Sequence, residues 1–204
     1  SIEITTAGAE RWLPTLVEAV GCPRVSVRVP ADSARFESIP PGDRLVPGRT
    51  AVMEGEGHVE LRENGITWRL LPGKGQKTGF YTDQRENRAL VGGLAAGGSV
   101  LDCFCYTGGF GLNAARAGAT EVVGADSSGP AISVAAGTAK ANGLDQTKWF
   151  KEDALRFMRG LGERKFDTVI LDPPKLARSR DNLDDAYKKY LAFNAEGVAR
   201  VTDG

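Results

Sequence analysis

Val100-Leu101-Asp102-Cys103-Phe104-Cys105-Tyr106-Thr107-Gly108-Gly109-Phe110-Gly111 decides how the rest of the chain is read. An apolar run delivers an acid, a glycine-containing turn follows, and a helix-forming stretch comes next. In an open parallel sheet, ligands bind beyond the carboxyl ends of the strands. Glycines there let the backbone approach a ligand closely. The run is not the G-x-G-x-x-G loop that cradles a pyrophosphate. An acid at the strand end and a wider turn suit a ligand with a cationic amino-acid end, such as S-adenosylmethionine. The bland alternative is a plain strand-turn-helix.

Outward from this stretch a βα rhythm continues. Residues 82–94 read as a helix, 99–104 as a buried strand and 110–117 as a helix. Residues 121–125 and 148–151 read as strands, 131–142 as a helix stopped by Gly143, and 154–161 as a short helix. Residues 166–171 form a strong apolar strand, and 183–201 a long amphipathic helix. Such alternation predicts an α/β, doubly wound, mostly parallel sheet. Before Gly73 the pattern differs. Residues 10–20 suggest a short helix, 24–29 alternate like a strand, and 31–48 read as loop. Residues 58–71 read as a β-hairpin around Asn64-Gly65. The expected division is a partial α+β domain over 1–73 and a domain over 74–204 whose sheet looks unfinished. Both ends read as trimmed.

The chain has 204 residues, 41% hydrophobic and 25% charged, as an ordinary globular chain does. Lysine plus arginine and aspartate plus glutamate are 26 each, which excludes a strongly basic domain held to nucleic acid by bulk charge. No apolar run reaches the ~18 residues a membrane span needs. Cys22, Cys103, Cys105 and His58 lack the paired spacing of a structural zinc site, so no metal is expected. An odd cysteine count points to a reducing, cytoplasmic setting.

Three further acids end or follow strands. Asp126 could accept ribose hydroxyls or, with Ser127 and Ser128, cap a helix. Asp153, before the helix that Ala154 opens, could accept from an adenine amino group or act as a cap. Asp172, in Leu171-Asp172-Pro173-Pro174-Lys175, precedes two prolines that make a rigid lip. An aromatic residue follows the prolines in enzymes that methylate exocyclic amino groups; Lys175 instead points to a phosphate or a base carbonyl. Gly75-Gln76-Lys77-Thr78-Gly79-Phe80-Tyr81-Thr82-Asp83-Gln84-Arg85-Glu86-Asn87-Arg88 mixes cations, aromatics, amides and acids. Such a mix can line a cofactor pocket and grip a phosphate.

Taken together, residues 75–88, the Asp102–Gly111 turn and Asp172-Pro173-Pro174-Lys175 resemble the bacterial 23S ribosomal RNA cytosine-C5 methyltransferases of the large subunit. These are class I S-adenosylmethionine-dependent enzymes carrying a PUA domain, and the resemblance covers about residues 56–204. It implies a Rossmann-like domain using S-adenosyl-L-methionine on large-subunit ribosomal RNA. It also implies that Asp102, Gly108, Gly109 and Phe110 line the methionine and ribose side, Asp126 the ribose and Asp153 the adenine. Asp172 would lie near the transferable methyl. The cofactor-binding set is completed by Phe80, Asp83, Gln84, Phe104, Thr107, Ser127, Ala154 and Pro173. Asp172 and Lys175 are the catalytic candidates. Lys77, Arg85, Arg88, Lys175, Arg178 and Arg180 are the RNA contacts.

Two departures matter. No PUA-like segment is recognised, and the family's nucleophilic cysteine is expected beyond Gly204. Carbon-5 of cytosine becomes electron-rich only after a thiolate adds at carbon-6. These 204 residues alone are therefore not expected to methylate. Cys103 and Cys105 are weak substitutes. The rival readings are a guanine-nitrogen methyltransferase, which needs no cysteine, a nicotinamide oxidoreductase and a non-catalytic RNA-binding module. The exact nucleotide and the oligomeric state, a homodimer included, stay open.

Overall fold

The computed structural model describes residues 15, 18–19, 26–29, 42–45, 59–70, 80–177 and 182–202. Lys77, Arg178 and Arg180 lie outside them, as does most of the helix expected over 10–20. The chain divides into two compact units, Ser1–Gly57 and His58–Gly204. In the first, β1 (Ser26–Val29) pairs antiparallel with β2 (Gly42–Leu45), Val27 opposite Arg44. The loop expected over 31–48 therefore contains a strand. Gly-Asp-Arg-Leu carries no apolar alternation, so only its backbone pairing reveals it.

The second unit opens with the hairpin of β3 (Val59–Glu63) and β4 (Ile66–Leu70). Asn64 (φ 50°) and Gly65 (φ 73°) both take the left-handed conformation a tight two-residue turn requires. On β4, Ile66, Trp68 and Leu70 are buried while Arg69 is exposed, the period-2 pattern of a half-buried strand. These three side chains join a core with Val100, Leu112 and Val122, so the hairpin belongs to this unit although the sequence changes character only near Gly73. Each fully buried side chain of this kind contributes about 2 kcal/mol.

The remaining elements are a 3-10 turn (Thr82–Gln84), α1 (Arg85–Leu94), β5 (Ser99–Cys103), α2 (Gly109–Arg116), β6 (Glu121–Asp126), α3 (Gly129–Ala141), β7 (Thr147–Lys151), α4 (Ala154–Gly160), β8 (Thr168–Leu171) and α5 (Leu183–Val198). The strands form a parallel sheet in the order β7-β6-β5-β8. Val100 and Val122 enter the core beneath α1–α3, while their neighbours Leu101 and Val123 enter the core beneath α4 and α5 with Met158 and Phe193. This is the three-layer Rossmann-like arrangement the alternation predicted. Val201 forms a parallel bridge to Phe166, where the expected apolar strand begins. Among the described residues no helix is long and apolar enough to cross a membrane.

Local chemistry fixes the joints. Asn142 at the end of α3 accepts from Thr67 N and donates to the Thr67 carbonyl, each at 2.8 Å, and so fastens β4 to the helix layer. Gly143 (φ 65°) then turns the chain, as a helix-ending glycine does.

Candidate active site

The order of the strands reverses between β5 and β8, and the site lies at that switch point, beyond the carboxyl ends of the strands. Asp102 lies near the carboxyl end of β5, 1% exposed, and its Oδ2 accepts from Gly111 N at 2.8 Å. Burial pushes its carboxyl up to about 7; the bond from Gly111 opposes this, while the charges of Asp172 and Asp126 add to it.

The turn that follows is strained. Phe104 (φ 62°) and Tyr106 (φ 50°) both adopt the left-handed conformation that bulky side chains avoid. Main-chain bonds hold them there: Cys105 N donates to Ala125 O at 3.2 Å, and Gly108 N to Cys105 O at 2.7 Å. Tyr106 N donates to Asp126 Oδ2 at 2.9 Å. Phe104 packs edge-on against Phe193, and Tyr106 against Tyr81.

The glycines were expected to admit a ligand, but two of them admit a side chain. A Cβ at Gly108 would lie 2.7 Å from the Trp149 ring, and one at Gly111 would lie 3.0 Å from it and 2.9 Å from Val122. Gly124, opposite Trp149 on β6, would clash at 2.3 Å. Trp149 thus fills the space beneath the turn, its Nε1 donating to Thr147 Oγ1 at 3.1 Å.

Asp126 joins two turns, since its Oδ1 also accepts from Ser128 N at 2.8 Å. The helix cap itself is Ser128, whose hydroxyl accepts from Ala131 N at 3.4 Å. Asp172 is exposed at the end of β8. The Tyr190 hydroxyl on α5 clamps the lip behind it, donating to Pro174 O and accepting from Leu176 N, each at 3.3 Å.

These pieces surround a cavity of about 700 Å³, within the usual range for small-molecule sites. Of the expected cofactor residues it brings together Phe80, Asp83, Gln84, Phe104, Thr107, Gly109, Phe110, Asp126, Ser127, Asp172 and Pro173, with Lys175 at the lip. Asp102 and Gly108 stand behind the lining. Asp153 is not in the lining: this exposed carboxylate is the N-cap of α4 and accepts from Arg156 N at 3.0 Å, with Ala154 buried beside it. The cap alternative is the one the geometry supports.

Arg88 is also corrected. It is 3% exposed and ion-paired with Glu63 at 2.6 Å, so it cannot grip RNA. Arg85 is exposed and outside the lining.

Sequence reasoning missed Tyr106, Ser128, Pro130, Ala131 and Val134 as lining residues. Tyr106 lay within the quoted turn, and Pro130-Ala131 directly follow the cap, so position alone could have found them. Nothing local marked Tyr190 or Trp149.

The arrangement fits a cationic adenosine ligand. Asp83, Asp126 and Asp172 all line one space, with Asp102 behind the lining, which favours a sulfonium and an ammonium group. Pro130, Ala131 and Val134 offer an apolar wall for a flat ring. Both thiols are buried, which disfavours a thiolate: burial pushes Cys103 up to about 12, with the charge of Asp102 adding to it, and burial likewise pushes Cys105 well up.

A family model described as S-adenosylmethionine-dependent methyltransferase matches residues 51–199. Proteins from Shewanella denitrificans and Photobacterium profundum, both named Ribosomal RNA large subunit methyltransferase I, are 37% and 39% identical over 99% of this chain. The matches cover 52% of their own lengths, so the chain spans about half the length of the curated relatives it matches. Among solved structures, SMU.776, described as a methyltransferase and crystallised with SAH, superposes with a TM-score of 0.65 at 26% identity, over 79% of this chain and 42% of that one.

Proposed function

The chain belongs to the S-adenosylmethionine-dependent methyltransferase family, and from that premise we propose that its strand-end cavity holds S-adenosylmethionine and that the protein methylates large-subunit ribosomal RNA at carbon-5 of a cytosine. The observation that carries this reading is the convergence of Asp83, Asp126 and Asp172, from three separate segments, on one cavity. The RNA target rests on the relatives named for it. A ribosomal RNA target also implies a cytoplasmic setting.

When bound, S-adenosylmethionine supplies an electrophilic methyl group. The chain's own residues do the rest. In this reading Asp126 accepts the ribose hydroxyls, and Asp83 and Asp172 face the cationic end. The strained Phe104–Gly108 turn sets the floor. The Asp172-Pro173-Pro174-Lys175 lip orients the base at the cavity mouth, with Lys175 on a phosphate or a base carbonyl. Transfer by in-line displacement then depends mainly on positioning. Lys77, Arg85, Arg178 and Arg180 remain the proposed RNA-backbone contacts. The residues before His58 belong to a small α+β domain preceding the catalytic one. The carbon-5 reading also requires an activating thiolate, which the buried Cys103 and Cys105 are poorly suited to supply.

A second reading has one observation in its favour. Because Cys103 and Cys105 are both buried, and burial pushes both thiols up, this cavity by itself suits a nitrogen target, such as a guanine amino or ring nitrogen, that needs no thiolate. Nucleoside mass spectrometry of ribosomal RNA decides between them, comparing cells without the gene with cells given back the full-length protein. Loss and return of 5-methylcytidine is the expected result. A methylguanosine that follows the gene overturns the carbon-5 reading, and no change in any methylated nucleoside overturns the ribosomal RNA reading.

A further inference from the structure

Arg88 is buried on α1, yet it borders the cavity. Its Nε donates to Glu63 Oε1 at 2.8 Å, and Nη1 donates to the Tyr81 carbonyl at 2.7 Å. The guanidinium carbon lies 4.5 Å from the centre of the Phe80 ring. A Cβ at Gly109 would meet Arg88 Cδ at 3.2 Å. One side chain therefore touches the hairpin, the segment carrying Phe80 and Tyr81, and the first residue of α2.

A guanidinium presents its donors in a rigid plane. It can serve the Glu63 carboxylate and the Tyr81 carbonyl together only when the two stand at a set separation. A buried ion pair is weak evidence for stability, because desolvation offsets much of the attraction. What the pair fixes is placement. The segment it holds is short and ends in a single 3-10 turn, with Gln84 N reaching the same Tyr81 carbonyl at 3.3 Å. Asp83 and Gln84, which line the cavity, follow directly from that anchor.

We propose that Arg88 is a positioning residue for the cofactor site. It sets the Phe80–Gln84 wall at its distance from the Gly109 turn, and through Glu63 it makes the hairpin part of the ligand-binding apparatus. This rests on the reading that the cavity holds S-adenosylmethionine.

The test uses the full-length protein, with SAH titrated by calorimetry beside methyl-transfer kinetics and thermal melting. Wild type comes first: if it does not bind SAH, the cofactor reading itself fails. With wild-type binding established, Arg88→Lys keeps the charge and loses the fork. It is expected to raise the Kd for SAH and the KM for S-adenosylmethionine about tenfold, with kcat at saturation within about threefold of wild type. Glu63→Gln keeps an oxygen for Arg88 Nε and lies outside the cavity lining, so its direct route to the ligand runs through Arg88. A rise of about threefold in the Kd for SAH is expected there. A folded Arg88→Lys protein that binds SAH as wild type does overturns the proposal. So does one that loses RNA affinity alone. If Arg88→Lys does not fold, an unchanged Kd in Glu63→Gln is the overturning result.

Discussion

Toward the amino ends of the strands, Glu121, Asp167 and Glu196 each have partners. Glu121 pairs with Arg164 and Lys148, and those bonds hold its carboxyl below the usual range. Asp167 accepts from Ser99 N at 2.7 Å and from Ser99 Oγ at 2.8 Å, and is lowered by them in that order. Glu196 is lowered by Arg159 and then Arg200. At the carboxyl ends, Asp102 is pushed up to about 7, and Asp102, Asp126 and Asp172 form no ion pair among the described residues. The same residue type is satisfied at one rim and left short of positive charge at the other. The first rim closes the fold; the second keeps a negative field that a cationic ligand can neutralise.

If the contrast is real, Asp172→Asn should have the largest effect. Removing that charge at the cavity mouth is expected to lower the methyl-transfer rate of the full-length protein about 100-fold, leaving its urea midpoint unchanged. An equal loss of stability would place Asp172 with the structural acids.

The pH dependence comes next. A carboxyl with a pKa of about 7 in the fold and about 3.9 unfolded keeps its proton in the native state alone across that interval. The native chain then holds the extra proton, so stability falls as pH rises from about 4 to about 7 and levels off above, by at most about 4 kcal/mol. Asp102→Asn should remove this slope while leaving an oxygen for Gly111 N–H. Urea denaturation at pH 5 and pH 8 measures it, and a variant with the wild-type slope would assign the titration to another group.

At the opposite rim, Asp167→Ala should lower the urea midpoint slightly and leave the Kd for SAH within about 1.5-fold, since these bonds are exposed. A weakened ligand would mean that the two rims communicate. Smallest of all, Cys105→Ala should leave the methyl-transfer rate as in wild type. A complete loss would make that thiol chemical after all.

Much of this was legible in the chain. Strand and helix alternation follows from apolar spacing, and an acid directly after an apolar strand is carried to the carboxyl rim by geometry alone. That placed Asp102, Asp126 and Asp172. The same logic could not decide Asp153, because a cap and a ligand acceptor occupy the same sequence position; in the fold its Oδ1 caps a helix. Arg88 read as an RNA contact because its partner Glu63 lies 25 residues away, on a strand whose register the local pattern cannot give. β2 was invisible for a related reason: two-stranded pairing is a property of the backbone, and Gly42–Leu45 shows no alternating face.

Trp149 ties together positions that are far apart in the chain. Gly108, Gly111 and Gly124 all give way to its indole, so none can gain a methyl group while it stays. A smaller residue at 149 would release Gly124 alone, since Val122 still crowds Gly111 at 2.9 Å and Gly108 keeps its left-handed φ of 78°. In a directed-evolution lineage, a side chain at 124 should therefore arrive only after the tryptophan has yielded.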